Sequence, residues 1–190
     1  MFADRIFYSL AALVTFAMVL FALSFGGSQS ITDEEIISEG WTLSGPDLVE
    51  LTISPGSEGD FIDEDGGFIR LSQFTPSGQG PQSIGVFATL GPGHERAFAG
   101  RLLRITIRAR ASRANPLASF DSGYFTMEGR PSGWSTFQLG ADWQDYRFEY
   151  RPPIIDAPAN VDLIAVFPGR AGERKQMDVA AFQVEVLDKT

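Results

Sequence analysis

The chain contains no cysteine. That excludes disulfides and thiolate metal sites. Its one histidine, His94, leaves no zinc site of recognised spacing. The G-x-S-x-G, H-E-x-x-H and P-loop patterns are absent. Acids are common, but no spacing singles out a carboxylate pair for glycoside hydrolysis. The chain therefore reads as non-catalytic, with no enzyme activity expected. From Thr32 to Gly66 there are eleven acids and no Lys or Arg. Such a segment is drawn neither to nucleic acid nor to anionic headgroups, so no nucleic-acid partner is expected. Its cluster from Glu58 to Asp65 fails the EF-hand template D-x-[DN]-x-[DN]-G-x5-E. From Gly26 onward no stretch has the helical length that a βαβ crossover needs.

One long apolar run is present. Ile6 to Phe25 reads IFYSLAALVTFAMVLFALSF, free of charge, proline and glycine. About twenty residues at a rise of ~1.5 Å span a hydrocarbon core of ~30 Å, and in lipid they must be helical. The expected plan is a transmembrane anchor over 1–25, a linker over 26–39 and one domain over 40–190. Arg5 precedes the span and no base follows before Arg70, so the positive-inside rule places the domain outside. The expected location is a bacterial inner membrane, single-pass, with the C-terminal domain in the periplasm. Cleavage as a signal peptide at Ala22-Leu23-Ser24 is the alternative. The run is longer than the ~7–15 residues of a signal h-region, which favours the anchor. Either way the domain is exported.

Beyond the linker, which carries a turn of helix at Asp33 to Ile37, the period is two. Leu103, Ile105, Ile107 and Ala109 alternate with Arg104, Thr106, Arg108 and Arg110. Tyr146, Phe148 and Tyr150 alternate with Asp145, Arg147, Glu149 and Arg151. Ile84 to Leu90, Ala180 to Val186 and Val49 to Ile53 repeat the pattern. Val161 to Phe167 is nearly all apolar, as for a central strand covered on both faces. Shorter strands are expected at Phe68 to Ser72, Tyr124 to Met127 and Trp134 to Leu139. Turn signals separate them: Ser54-Pro55-Gly56, Gly66-Gly67, Pro76-Ser77-Gly78, Gly91-Pro92-Gly93, Pro131-Ser132-Gly133 and Pro168-Gly169. The expected fold class is all-β, an antiparallel sandwich or barrel behind one N-terminal helix.

Three segments carry a resemblance. Pro92-Gly93 followed by Gly100 to Arg110 resembles the opening of a jelly-roll strand. Trp134-x-x-Phe137-x-Leu139, with Asp142-Trp143-Gln144-x-Tyr146-x-Phe148, resembles a tryptophan turn and its following strand. Asp178-Val179, with Phe182 to Val186, resembles a closing strand. Together they resemble the galactose-binding-like superfamily, including carbohydrate-binding modules of the CBM4/CBM9 type, over roughly Trp41 to Leu187. The resemblance implies a jelly roll that binds glycans or proteins or serves as a spacer. It also implies a structural calcium, with Asp178 as the candidate ligand; no other cofactor is implied.

A sugar site needs aromatic faces and polar side chains. The candidate ligand-binding residues are Trp134, Tyr124, Trp41, Arg104 and Arg108. Trp134 follows a turn, so an exposed loop aromatic is expected there. Tyr146, Phe148 and Tyr150 read as core, and Trp143 as a packing plug. The stripe Arg104, Arg108, Arg110 reads as a face for uronic acids or phosphate-bearing glycans. The alternating charges of the neighbouring strand favour the other reading, cross-strand pairing with Asp145 and Glu149. Two roles follow. One is a membrane-anchored periplasmic module that binds glycan. The other is an accessory subunit of a bacterial membrane complex, its helix packed on other subunits through Ala11, Ala12, Ala17 and Ala22.

Overall fold

The computed structural model describes Met18 and residues 31–73, 85–127, 129–154, 161–169 and 174–188. The chain divides into two units, Met1–Thr32 and Asp33–Thr190. The expected span Ile6 to Phe25 lies outside the described residues, apart from Met18. Among the described residues no helix is long and apolar enough to cross a membrane. The Pro76-Ser77-Gly78 turn also lies outside them.

The second unit is a sandwich of two antiparallel sheets. In chain order its elements are α1 (Asp33–Glu39), β1 (Trp41–Ser44), a 3-10 turn (Gly45–Glu50), β2 (Thr52–Ile53), β3 (Ser57–Ile62) and β4 (Phe68–Gln73). Next come β5 (Val86–Leu90), α2 (Pro92–Phe98), β6 (Leu103–Ala111), β7 (Ser119–Phe125) and β8 (Ser135–Gln138). The last three are β9 (Gln144–Tyr150), β10 (Asp162–Phe167) and β11 (Gln176–Val186). One sheet runs β3-β4-β11-β6-β9, with β1 also on β11. The other runs β2-β5-β10-β7-β8. From β4 to β7 and again from β8 to β11 the chain crosses between sheets at each step, the jelly-roll path.

Period two sets the core. Leu103, Ile105, Ile107 and Ala109 are fully buried and meet Val86, Ala88, Leu90, Ile164 and Val166 of the facing sheet. Phe148 and Tyr150 are half-buried and pack on the same core. On β11 one extra residue interrupts the alternation. Val179 pairs with Ala109 and Ala181 with Arg108, so Ala180 bulges. Met177 and Val179 point inward before the bulge, and Phe182, Val184 and Val186 after it. The expected inward set therefore holds except for Ala180, because a bulge shifts the phase by one residue. β11 meets β4 along Gln176–Val179 and β1 along Ala181–Val184.

Two expectations, a strand and a turn, are corrected. Val49 to Ile53 is no single strand: Gly45-Pro46 opens a 3-10 turn and leaves Val49 65% exposed. Proline at the first helical position presets φ and lacks an N–H that would be unbonded anyway. For the same reason Gly91-Pro92-Gly93 opens α2 instead of a plain turn. Asp33–Glu39, expected as linker with a helical turn, forms α1, with Ile36 in the core. Arg96 of α2 holds Asp33 through Nη2 at 2.6 Å. Gly40 ends α1 at φ +76°, and its N–H donates to the Ile36 carbonyl at 2.8 Å. A Cβ there would stand 2.2 Å from the Val184 oxygen, so only glycine fits.

Candidate functional site

The central strand of the five-stranded sheet, β10, presents apolar side chains to both faces, as expected. Inward lie Ile164 and Val166; outward, Phe87, Phe125 and Ala165 form a second small cluster. Trp134 and Leu163 pack on that cluster half-buried. The Trp134 ring lies 5.0 Å from Phe125 and 6.4 Å from Phe167, centroid to centroid. Gly123 lets the Trp134 loop come this close. A Cβ on Gly123 would stand 2.4 Å from the Gly133 carbonyl oxygen. The Ser132 hydroxyl anchors the same loop by accepting the Tyr124 N–H at 2.8 Å.

Beside this aromatic platform a groove of about 490 Å³ runs along β7. Phe167 belongs to both. Ser119, Asp121, Thr136 and Lys175 supply the groove's polar wall. Asp121 and Thr136 are register partners, and the Thr136 hydroxyl donates to Asp121 Oδ1 at 2.5 Å. Lys175 donates to Asn115 Oδ1 at 2.9 Å. An indole beside carboxylate, hydroxyl and ammonium groups can take a ring with one apolar face and a rim of hydroxyls.

Tyr124, a candidate ligand residue, points the other way. It is 0% exposed, and its hydroxyl donates to Asp162 Oδ2 at 2.6 Å. A buried ring offers no face to a sugar. Burial pushes its phenol well above the ordinary value, with the charge of Asp162 adding to the effect. Burial raises Asp162 to about 6; the Tyr124 hydrogen bond works against this rise and the charge of Glu95 with it. Oδ1 of Asp162 is buried without a hydrogen bond. Tyr150 leans on Tyr124 at 5.3 Å and donates to the Arg130 carbonyl.

The remaining candidates lie elsewhere. Trp41 belongs to the other sheet, packed on the core with His94 edge-on at 6.5 Å. Burial lowers the pKa of His94. Arg104 and Arg108 share the outer face of the six-stranded sheet. Arg104 donates to Glu149 at 3.2 Å, and Arg108 to Asp145 at 3.1 Å; each acid is its register partner on β9. The cross-strand reading thus describes both. Asp178 is 0% exposed and accepts Arg70 on both oxygens and Arg110 on Oδ2. This environment does not fit calcium, because two guanidinium groups already supply the positive charge and would repel a divalent ion. Among the described residues no group of three or more His, Cys, Asp or Glu is placed to hold a metal.

The sequence reading missed Asp121, Thr136, Phe167 and Lys175. One of them, Asp121, was within reach of period two. Asp121, Gly123 and Phe125 share one face of β7, but the strand had been expected to begin at Tyr124. Lys175 comes to the groove from a distant part of the chain, and no local pattern marks it.

No protein family model matches the sequence, and no curated protein matches it. Solved structures do share the fold. The CBM22-2 xylan-binding domain of Paenibacillus barcinonensis Xyn10C matches at TM-score 0.55 and 10% identity, over 77% of this chain and 98% of that one. The C-terminal family 22 carbohydrate-binding module of Clostridium thermocellum Xyn10B matches at 0.54 and 13%, over 80% and 94%. A further xylan-binding domain from family 22 matches at 0.52 and 12%, over 77% and 94%. At such identities the likeness establishes a shared architecture, the jelly-roll sandwich of carbohydrate-binding modules. It supports that coarser resemblance and not the narrower CBM4/CBM9 type, since these neighbours are family 22 modules.

Proposed function

We propose that this chain is a non-catalytic glycan-binding module whose binding face is the outer surface of the five-stranded sheet. The observation that carries the reading is the half-buried Trp134, braced on Phe125 and Phe167 beside the polar groove of Asp121 and Thr136. A braced indole buries the C–H face of a sugar at little entropic cost, and the groove side chains exchange hydrogen bonds with its hydroxyls. The jelly-roll likeness to carbohydrate-binding modules supports it. The proposal includes a retained anchor over Ile6 to Phe25 and a periplasmic domain on a bacterial inner membrane. Its support is the uncharged run behind Arg5.

Retention on polysaccharide columns tests the reading, with the full chain in detergent. Xylan comes first, because the neighbours' names specify it; cellulose and mannan follow. The wild type is retained on at least one, and Trp134→Ala is not, while its circular dichroism is unchanged. A wild type that ignores every polysaccharide yet co-purifies stoichiometrically with membrane proteins overturns the proposal in favour of the accessory subunit. Mass spectrometry of the extracted protein checks the anchor: residues before Ser24 are present, and a mature N-terminus at Phe25 in most molecules refutes retention.

A further inference from the structure

The opposite side of the sandwich carries a second pocket, of about 530 Å³, over β6 and the start of β9. Arg108, Arg110, Arg113, Asp65, Asp142 and Trp143 line it. Arg110 is fixed in place. Its side chain is 8% exposed, and its Nε donates to Asp178 Oδ2 at 3.1 Å. Its guanidinium carbon stands 4.2 Å from the Trp143 ring centroid and 5.2 Å from that of Phe68. A guanidinium has five N–H donors, and this one spends a single donor on Asp178. Asp65 Oδ2 is 3.8 Å from Nη1, beyond hydrogen-bond distance. The terminal nitrogens of Arg110 are therefore unspent donors, held rigid by a buried carboxylate and an indole. Arg113 is exposed and makes no ion pair or hydrogen bond to any described residue. Arg108 is the third, half-exposed and paired with Asp145.

We propose that this pocket binds a carboxylate-bearing sugar, a uronosyl unit of an acidic glycan. Arg110 and Arg113 take the planar carboxylate, which a guanidinium meets with two parallel hydrogen bonds. Asp65 and Asp142 decide the class. They repel a plain inorganic anion, but they accept hydrogen bonds from hydroxyls. A ring that carries both a carboxylate and hydroxyls satisfies all four side chains. The site lies on the other sheet from Trp134 and does not depend on the function proposed above.

Calorimetric titration of the full chain in detergent tests this, with tetragalacturonate, xylotetraose and inorganic phosphate as probes at low ionic strength. Tetragalacturonate binds saturably. Arg113→Gln weakens it roughly tenfold or more, the effect of losing a charge-assisted hydrogen bond. Arg113 has no structural partner, so the variant keeps the wild-type melting temperature. Asp142→Asn also weakens tetragalacturonate; a site that reads charge alone would tighten instead. Trp134→Ala leaves this binding unchanged, whereas any xylotetraose binding is lost in Trp134→Ala and kept in Arg113→Gln, so the two sites fail separately. The proposal is overturned by a wild type that does not bind tetragalacturonate, by an unaltered affinity in folded Arg113→Gln, by tighter binding in Asp142→Asn, or by phosphate competing as well as the uronate.

Discussion

Arg70 and Asp178 face each other across β4 and β11 and close a bidentate pair, Nε to Oδ1 at 2.7 Å and Nη2 to Oδ2 at 3.2 Å. On the other side of β11, Arg110 is the register partner of the same aspartate. Three strands thus carry one row of Arg-Asp-Arg, roofed by Phe68 and Trp143. The carboxylate is wholly buried, and both its oxygens are used.

Breaking a buried charge network from its centre leaves partners that water reaches poorly. Asp178→Asn should therefore lose about 3–5 kcal/mol of stability. The exposed pair of Arg108 with Asp145 is the control, and Asp145→Asn should cost under about 1 kcal/mol. Urea denaturation of both variants measures this. Equal losses would show that the row is no more than a surface salt bridge.

Gly123 tests the platform from beneath. Its added methyl would meet the Gly133 carbonyl oxygen at 2.4 Å, and backbone cannot swing aside as a side chain does. Gly123→Ala should push the Trp134 loop off Phe125 and shift the tryptophan emission to the red. It should also reduce glycan retention without removing any group that touches the sugar. The rest of the sheet should stay folded. Unchanged emission together with unchanged retention would show that the close approach is not required.

Asp162 makes stability depend on pH. Its pKa rises from 3.8 to about 6 in the fold, so the fold prefers the protonated acid. Its favourable contribution is complete below about pH 4, where the unfolded chain is protonated too, and fades as pH rises to about 6. Above that, the fold holds a buried carboxylate. Asp162→Asn removes the charge and keeps an oxygen for the Tyr124 hydroxyl. The variant should melt higher than wild type at pH 7.5, and the gap should close as pH falls through 6. A gap constant from pH 4.5 to 8 would contradict this.

Much of the β-architecture was legible because alternation is local. Leu103 to Ala109 and Tyr146 to Tyr150 declare their inner faces in a handful of residues each, and the structure pairs them in register. Arg104 and Arg108 opposite Glu149 and Asp145 follow from the same alternation. Ala180 did not declare itself, since a bulge is set by what the two neighbouring strands require. Tyr124 was misread as a ligand residue because an aromatic looks the same in sequence whichever face it joins.

Sequence alone determined the uncharged apolar run from Ile6 to Phe25, the absence of any recognised catalytic or thiolate-metal motif, the strand-and-turn rhythm and most of the inward positions. Each of these depends on neighbours in the chain or on composition. Tertiary structure alone decided that Asp178 meets two arginines and that Lys175 reaches the groove beside Asp121. It also seated Trp134 on Phe125 and Phe167. Those contacts join residues from different strands and loops, and which face or edge they share is set by how two sheets pack and register. No local pattern encodes that choice.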